Sequence, residues 1–339
     1  MSPDAGPSAG ADVAFGVDIG GTKVLGVALG TSDRIVAEAR VATPSAQVEG
    51  TAGSAVADAV AEVVALLDAA LPEAHGAKGD PPAIGVGAPG MVDRQGRLRF
   101  APNLPQAHGV DWYQLIGDRL GGRALLIEND ANFAVLAEHR LGSAQGYHHV
   151  MMVTLGTGIG GGLVVDGRVQ VGGHGFAGEI GHLVVDPAGP PCPCGRRGCW
   201  ERYASGGGLG VLAREAALAG HLPEVVTVAG GDPESVRGED VSTAALAGDA
   251  DARRVVEEVG WWVGFGLANL AAVLDPECFV LGGGLVQAGD LLLDAARAAY
   301  AELVEGGQRR PETAIVTAFF GERAGAVGAA LAARHGGLW

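Results

Sequence analysis

Residues 13–30, VAFGVDIGGTKVLGVALG, and residues 150–165, VMMVTLGTGIGGGLVV, follow one plan. Each carries an apolar strand into a tip of glycine and threonine and leaves through a second apolar strand. This pattern predicts a β-hairpin whose glycines supply the backbone of the turn. Downstream of the first copy, RIVAEARVAT (34–43) reads as a third strand and 53–71 as a helix. PAIGVGAPG (82–90) and RALLIEND (123–130) read as short buried strands, and 130–141 as a helix with Asp130 near its start. Downstream of the second copy, helices are predicted over 251–274 and 290–305. ECFVLGGGL (277–285) and ETAIVTAFF (312–320) are predicted strands, and 323–335 a last helix. Two halves that open alike and then alternate strands with helices describe a duplicated α/β unit. The match is too short for a repeat array. Two such lobes leave a cleft, the usual place for a ligand. The expected division is a disordered tail over 1–12, a small α/β lobe over 13–127 and a large α/β lobe over 128–322. The C-terminal helix, 323–339, is expected to pack back on the small lobe.

Composition narrows the function. The chain has 339 residues, enough for two domains, and 48% of them are hydrophobic. A net charge of −16 with no basic run excludes a nucleic-acid-binding face. Lysine occurs only at Lys23 and Lys78. The N-terminus lacks the charged start and apolar run of a secretory signal. The most apolar helical stretch, 54–71, carries Asp58, Glu62 and Asp68, so it is amphipathic and does not span a membrane. A cytoplasmic protein is expected, with small-molecule ligands and no nucleic-acid or membrane partner.

The 58 glycines cluster at 20–21, 156–162 and 282–284. Glycine lets backbone N–H groups approach phosphate oxygens without a Cβ in the way. Asp18, Gly20, Gly21, Thr22 and Lys23 form one candidate cradle, Gly156, Thr157 and Gly158 a second, and Gly282, Gly283 and Gly284 a third. Asp18 is suited to hold hydrated Mg²⁺. Lys23 reads either as a phosphate contact or, preferably, as a solvated strand residue. The GxxxxGK[ST] spacing of a Walker A loop is missing, and Gly158, Gly160 and Gly162 lie in a hairpin with no strand–turn–helix unit around them, so they are not a dinucleotide fingerprint. Each loop alone reads equally well as a plain hairpin.

Cys192-Pro-Cys194-Gly-Arg-Arg-Gly-Cys199 gathers three thiols in one tight turn. With no export signal, this crowding favours a metal over disulfides. His182, in GEIGH, is the best fourth ligand for a closed, structural, tetrahedral Zn²⁺ site. Such an ion would pin the segment bearing Glu179, His182 and Glu201. Cys278 sits in an apolar strand and reads as core.

The ordered set DIGGTK (18–23), GAPG (87–90), APNLP (101–105), ENDAN (128–132), LGTGIGGG (155–162), GEIGH (178–182), CPCGRRGCWE (192–201) and DPECFVLGGG (275–284) resembles the ROK family of sugar kinases and sugar-responsive repressors, specifically its bacterial glucokinases. The resemblance implies the two-lobed actin/Hsp70/hexokinase-like ATPase fold, two RNase H-like domains, with a structural zinc knuckle at 182–199. It implies Asp130 as catalytic base. Asn103, Asn129, Asp130, Glu179, His182 and Glu201 become sugar contacts, and His182, Cys192, Cys194 and Cys199 zinc ligands. It makes the glycine loops the site of ATP and Mg²⁺, and a homodimer or homotetramer the assembly. The implied reaction is transfer of the γ-phosphoryl group of ATP to the 6-hydroxyl of glucose. N-acetylmannosamine or another hexose is the alternative acceptor, and polyphosphate or ADP an alternative donor. A non-catalytic sugar-responsive regulator is the alternative of another class. The short stretch before Asp18 and the acidic balance speak against the DNA-binding module of the repressors. For Asp130 the competing role is that of helix N-cap, and for Glu179 and Glu201 that of solvated charge. Two stretches depart from the family pattern: GGGLG at 206–210, where fewer glycines are usual, and 221–240, which reads as an insertion.

Overall fold

Strand β1 (Ala14–Ile19) is apolar on both faces apart from Asp18, so it must lie inside a sheet covered on both sides. The computed structural model, which describes residues 13–44, 52–71, 81–101 and 111–338, places it there. The expected tail 1–12 and Asn103 lie outside the described residues. β2 (Lys23–Leu29) and β3 (Ile35–Ala42) continue from β1 as an antiparallel meander. After α1 (Ala52–Ala70), β4 (Ile84–Ala88) pairs parallel to β1. β5 (Met91–Val92) and β6 (Leu98–Phe100) form a separate small hairpin, and α2 (Trp112–Gly117) follows. β7 (Leu125–Asn129) completes the sheet, in the order β3-β2-β1-β4-β7. α3 (Asp130–Leu141) leaves directly from β7.

The two faces of this sheet are covered by different helices. A Cβ on Gly26 of β2 would meet Val63 and Leu67 of α1, at 2.3 and 3.1 Å. A Cβ on Gly16 of β1 would meet the backbone of the C-terminal helix, at 1.9 Å from the Ala326 carbonyl oxygen. Gly16 pairs with Val27, and Gly26 with Val17, so successive residues send these contacts to opposite faces. The same constraint recurs at Gly85 of β4, where a Cβ would lie 2.1 Å from the Ala329 oxygen. It recurs at Gly328 of the C-terminal helix, where a Cβ would lie 1.7 Å from the Phe133 oxygen of α3. Residues 324–333, AGAVGAALAA, are buried all round. Their small side chains are what let one helix sit backbone-to-backbone against both sheet and neighbour.

The first compact unit comprises Met1–Met152, Gly162–Gly178 and Ala318–Trp339. Its boundary thus falls at 152, not at the 127 expected from the sequence. α3 stays with the sheet that precedes it because Gly328 seats the C-terminal helix on it. Glu138 adds a second tie. This fully buried carboxylate accepts hydrogen bonds from the backbone N–H groups of Ser143 (2.9 Å), Phe319 (3.0 Å) and Phe320 (2.9 Å).

The second unit comprises Val153–Gly161 and Glu179–Thr317. β8 (Val150–Leu155) and β9 (Ile159–Val165) carry the chain through the boundary, and β10 (Arg168–Val169) follows. Then come α4 (Glu201–Ala204), α5 (Gly206–Leu218), α6 (Pro223–Val228), α7 (Gly238–Ala247) and the long α8 (Ala250–Leu274). β11 (Cys278–Gly282), α9 (Asp290–Leu303) and β12 (Ala314–Thr317) precede the last helix, α10 (Ala324–His335). The second sheet has the order β10-β9-β8-β11-β12. The glycine-rich departure at 206–210 is helical, forming the first turns of α5. The segment 221–240 folds as α6, a 3-10 turn at Pro233–Ser235 and the start of α7. Among the described residues, no helix is long and apolar enough to cross a membrane.

Replacing Gly16 with alanine forces its methyl into the α10 backbone, so Gly16→Ala should lower stability by about 1–3 kcal/mol or more. Gly117, whose added Cβ would meet nothing within 4 Å, provides the control. Denaturant midpoints of both variants check this, and equal midpoints would refute the packing argument.

Candidate active site

Asp18 sits at the end of β1, beside the turn that carries Gly20, Gly21 and Thr22. Its Oδ1 is enclosed and has no hydrogen-bond partner. A Cβ on Gly87 would lie 3.3 Å from that oxygen and 3.4 Å from the Asp130 Cα, so glycine at 87 is what lets the two aspartates flank one spot. A Cβ on Gly325 of α10 would lie 2.8 Å from the Asp18 carboxyl carbon. Burial, with the Asp130 carboxylate beside it, raises the Asp18 carboxyl to about 8. Burial raises Asp130 to about 6. Two crowded carboxyls, one with an orphaned oxygen, form a donor set suited to a divalent cation.

Asp130 is not the helix cap. Asn129 fills that role in α3, its Oδ1 accepting from the N–H groups of Ala131 (2.9 Å) and Asn132 (3.2 Å). The Asn129 Nδ2 donates to the Gly90 carbonyl at 3.0 Å, which leaves one amide hydrogen for a ligand. Asp130 occupies the first helical position, where the helix dipole favours a carboxylate. Its Oδ1 accepts from Ala131 N–H at 2.8 Å. Glu128 accepts from Asn129 N–H (2.8 Å) and the Asn132 side chain (3.2 Å), which fixes the approach to the helix.

The turn after Asp18 is stapled by Thr43. Its hydroxyl donates to the Gly20 carbonyl at 2.6 Å and its N–H to the Thr22 carbonyl at 3.0 Å. Gly21 and Thr22 are exposed at the tip. Lys23 points elsewhere. Its ammonium pairs with Glu322, in a chain of ion pairs that continues through Arg40 and Glu38 to Arg323.

Within the second unit the other two glycine loops touch. Gly283, at φ +87°, lies with its would-be Cβ 2.5 Å from the Leu155 carbonyl, next to Gly156. Nothing lies within 4 Å of a Cβ placed on Gly284. Gly158 packs on a predicted sugar contact, since its would-be Cβ falls 2.5 Å from Glu201 Oε2.

His182, Cys192, Cys194 and Cys199 converge, their ligand atoms all within 4.8 Å of one another. Cys194 and Cys199 Sγ stand 3.6 Å apart, and Cys192 Sγ lies 3.8 Å from His182 Nδ1. A tetrahedron drawn with metal–sulfur bonds of about 2.3 Å has sulfur–sulfur edges of about 3.8 Å, so the donor set fits a tetrahedral ion. Gly195 (φ +89°) and Gly198 (φ +63°) supply the turns that bring the thiols together. Glu201 Oε1 lies 3.0 Å from Cys192 Sγ and 3.7 Å from His182 Nδ1. Glu179 lies on the other side of the ring, 3.9 Å from Nε2. Burial and Glu201 together push the Cys192 thiol up.

A sequence profile of the ROK family matches residues 14–335. The chain belongs to the ROK family. It is 38% identical over 328 residues to a glucokinase of Streptomyces coelicolor, covering 95% of this chain and 97% of that one. It is 36% identical over 284 residues to a glucokinase of Halalkalibacterium halodurans, covering 82% of each. Its fold is similar to a ROK family glucokinase from Streptomyces griseus solved with glucose and AMPPNP. There the TM-score is 0.84 and the identity 36%, over 95% of this chain and 99% of that one. This ROK chain therefore has the two-lobed actin-like ATPase fold.

The structure thus brings Asp18 and Asp130 together in the first unit. In the second it gathers Glu179, His182, Glu201 and the cysteines, and sets the two later glycine loops side by side. Sequence reasoning missed Ser205, Gly206 and Gly207, which hold the Gly156–Gly158 loop. A serine before a helix start is a cap signature and could have marked them. It also missed Glu138, for which no local pattern gives a signal.

Two outcomes are expected. Asp18 and Asp130 hold protons in the folded state that the unfolded chain releases near pH 4, so stability should fall as pH rises from about 4 to about 8. In magnesium-free buffer, Asp18→Asn should flatten this fall. Added Mg²⁺ at pH 8 should raise the melting midpoint of the wild type but not of the variant. Parallel pH profiles would argue against the carboxyl pair. Elemental analysis should find about one metal ion per chain, and X-ray absorption should show it in tetrahedral sulfur and nitrogen coordination. Cys194→Ser should lose the metal and melt at lower temperature, whereas a verified metal-free protein with unchanged melting would contradict a structural ion.

Proposed function

We propose that this protein is a glucokinase, using ATP to phosphorylate the 6-hydroxyl of glucose. Its likeness to the glucokinases named above supports the reading. The observation that carries it is the state of Asp130: relieved of capping by Asn129, crowded by Asp18, and raised to about 6. That value suits a group that must accept a proton near neutral pH.

Asp130 orients the 6-hydroxyl and takes its proton late in the transfer, since phosphoryl transfer depends chiefly on in-line positioning and charge stabilisation. Asp18 would hold Mg²⁺, which when bound neutralises charge on the phosphates. The amides of the Gly20–Thr22, Gly156–Gly158 and Gly282–Gly284 loops hold phosphate or nucleoside. Asn103, Asn129, Glu179, His182 and Glu201 bind the sugar hydroxyls. His182 turns Nδ1 toward the cysteines and so keeps Nε2 for the ligand side. Zn²⁺ is the ion proposed for the Cys₃His set, with a structural role. The proposed assembly is a homodimer or homotetramer, and the proposed compartment the cytoplasm.

Asp130→Asn should lower kcat by about 10²–10⁴-fold. Its melting midpoint should hold, because the cap stays with Asn129; wild-type turnover would remove Asp130 from its role. In a coupled assay over glucose, N-acetylmannosamine, mannose and fructose, with ATP and with polyphosphate, glucose with ATP should give the highest kcat/KM.

A further inference from the structure

The first three N–H groups of α5 are already engaged. Gly206 N–H donates to the Gly156 carbonyl at 2.8 Å, Gly207 N–H to the Thr157 carbonyl at 3.2 Å, and Gly208 N–H to Ser205 Oγ at 2.9 Å. The Ser205 hydroxyl, in a residue 1% exposed, shares its single hydrogen between the Glu201 carbonyl at 2.6 Å and the Thr157 carbonyl at 3.1 Å. The helix start is therefore not left open for an anion. Its donors are aimed at two successive carbonyls of the Gly156–Gly158 loop.

This fixes which way the loop's own donors face. In a trans peptide the C=O and N–H point in opposite directions, and no peptide among the described residues is cis. With the Gly156 and Thr157 carbonyls held toward α5, the N–H groups of Thr157 and Gly158 must point away from it. Thr157 is exposed. Glycine at 156 and 158 leaves these peptides free to flip in the absence of such a hold, and a flip would present carbonyl oxygens to a phosphate. Thr43 holds the Gly20 carbonyl in the same manner in the first loop.

We infer that Ser205 is a positioning residue for nucleotide binding: with Gly206 and Gly207 it locks the peptide orientation that makes the Gly156–Gly158 loop a phosphate cradle. Ser205 in turn is anchored to Glu201, in a one-turn helix that begins two residues after the metal-ligand candidate Cys199. The metal cluster and the nucleotide loop thus share one brace. Gly207 has its own reason to be glycine, since a Cβ there would lie 2.4 Å from the Thr157 carbonyl oxygen and push the loop outward.

The inference rests on the reading of this loop as a phosphate site, and the test separates the two. AMPPNP with Mg²⁺ is titrated calorimetrically into metal-replete wild type, Ser205→Ala, Ser205→Thr and Gly207→Ala. Losing one hydrogen bond's worth of orientation should raise the AMPPNP Kd about 3- to 10-fold in Ser205→Ala. Gly207→Ala should do the same, and Ser205→Thr should restore wild-type affinity. The KM for ATP should rise in parallel while glucose affinity holds. Gly207→Ala presses a methyl against the loop backbone, so like Gly16→Ala it should also lose stability; each titration is run at a temperature where circular dichroism shows the variant folded. If Ser205→Ala does not fold, Gly207→Ala and Ser205→Thr decide the matter. Wild type that binds no AMPPNP would remove the kinase reading itself. Wild type that binds, with Ser205→Ala or Gly207→Ala binding equally well at normal folding, would overturn this inference alone.

Discussion

The close seating of α10 on the first sheet is the constraint on which the first unit depends. Gly16, Gly85 and Gly328 each bring a backbone to a distance that no side chain would allow. Dispersion and apolar burial over such an interface are large because almost no space is left between the surfaces. The chemistry follows from the same contact. Gly325, in the first turn of α10, stands against the Asp18 carboxyl and excludes water from one of its oxygens. Burial is the largest cause of the raised Asp18 carboxyl, and the neighbouring Asp130 the second. Packing in this unit therefore sets electrostatics: a carboxyl costly to ionise alone is one that gains from a cation.

In the second unit, order comes from short-range ties within a segment poor in regular structure. The run from Glu179 to Trp200 contains one 3-10 turn and isolated bridges, Val184 with Cys199 and Pro191 with Arg197. Trp200, fully buried, donates to the Trp262 carbonyl at 2.7 Å and occupies the notch left by Gly266 on α8. A metal at the Cys₃His set would tie His182, near the start of this run, to Cys199 at its end, and Trp200 adds an anchor there next to Glu201. This explains why a segment with so little secondary structure can present Glu179, His182 and Glu201 in fixed positions.

Much of this was legible in the sequence. The two Gly-Thr hairpins, the buried strands and the long helices came from apolar periodicity and turn residues, because those features are local. The cysteine spacing marked the metal cluster for the same reason. What could not be read is what depends on distant contacts. Asp130 reads as a possible cap in the string ENDAN, and only the helix start shows that Asn129 does the capping. Glu138 looks like a surface residue of α3 until Phe319 and Phe320 arrive from 181 and 182 positions away. The unit boundary moved to 152 because α3 packs on a helix from the far end of the chain. GGGLG carries more glycine than is usual there and is nonetheless helical, and two of its glycines are needed where it meets the 156–157 backbone.

The route of the chain through the first unit has a bearing on synthesis. β1 is made before α10, yet one of its faces is covered by that helix, some three hundred residues further along the chain. Until that helix appears, the sheet exposes a glycine-lined apolar surface with no local substitute. The first unit therefore cannot close around this sheet before α10 has been made, and an exposed apolar face of this kind is open to non-native contacts in the interval.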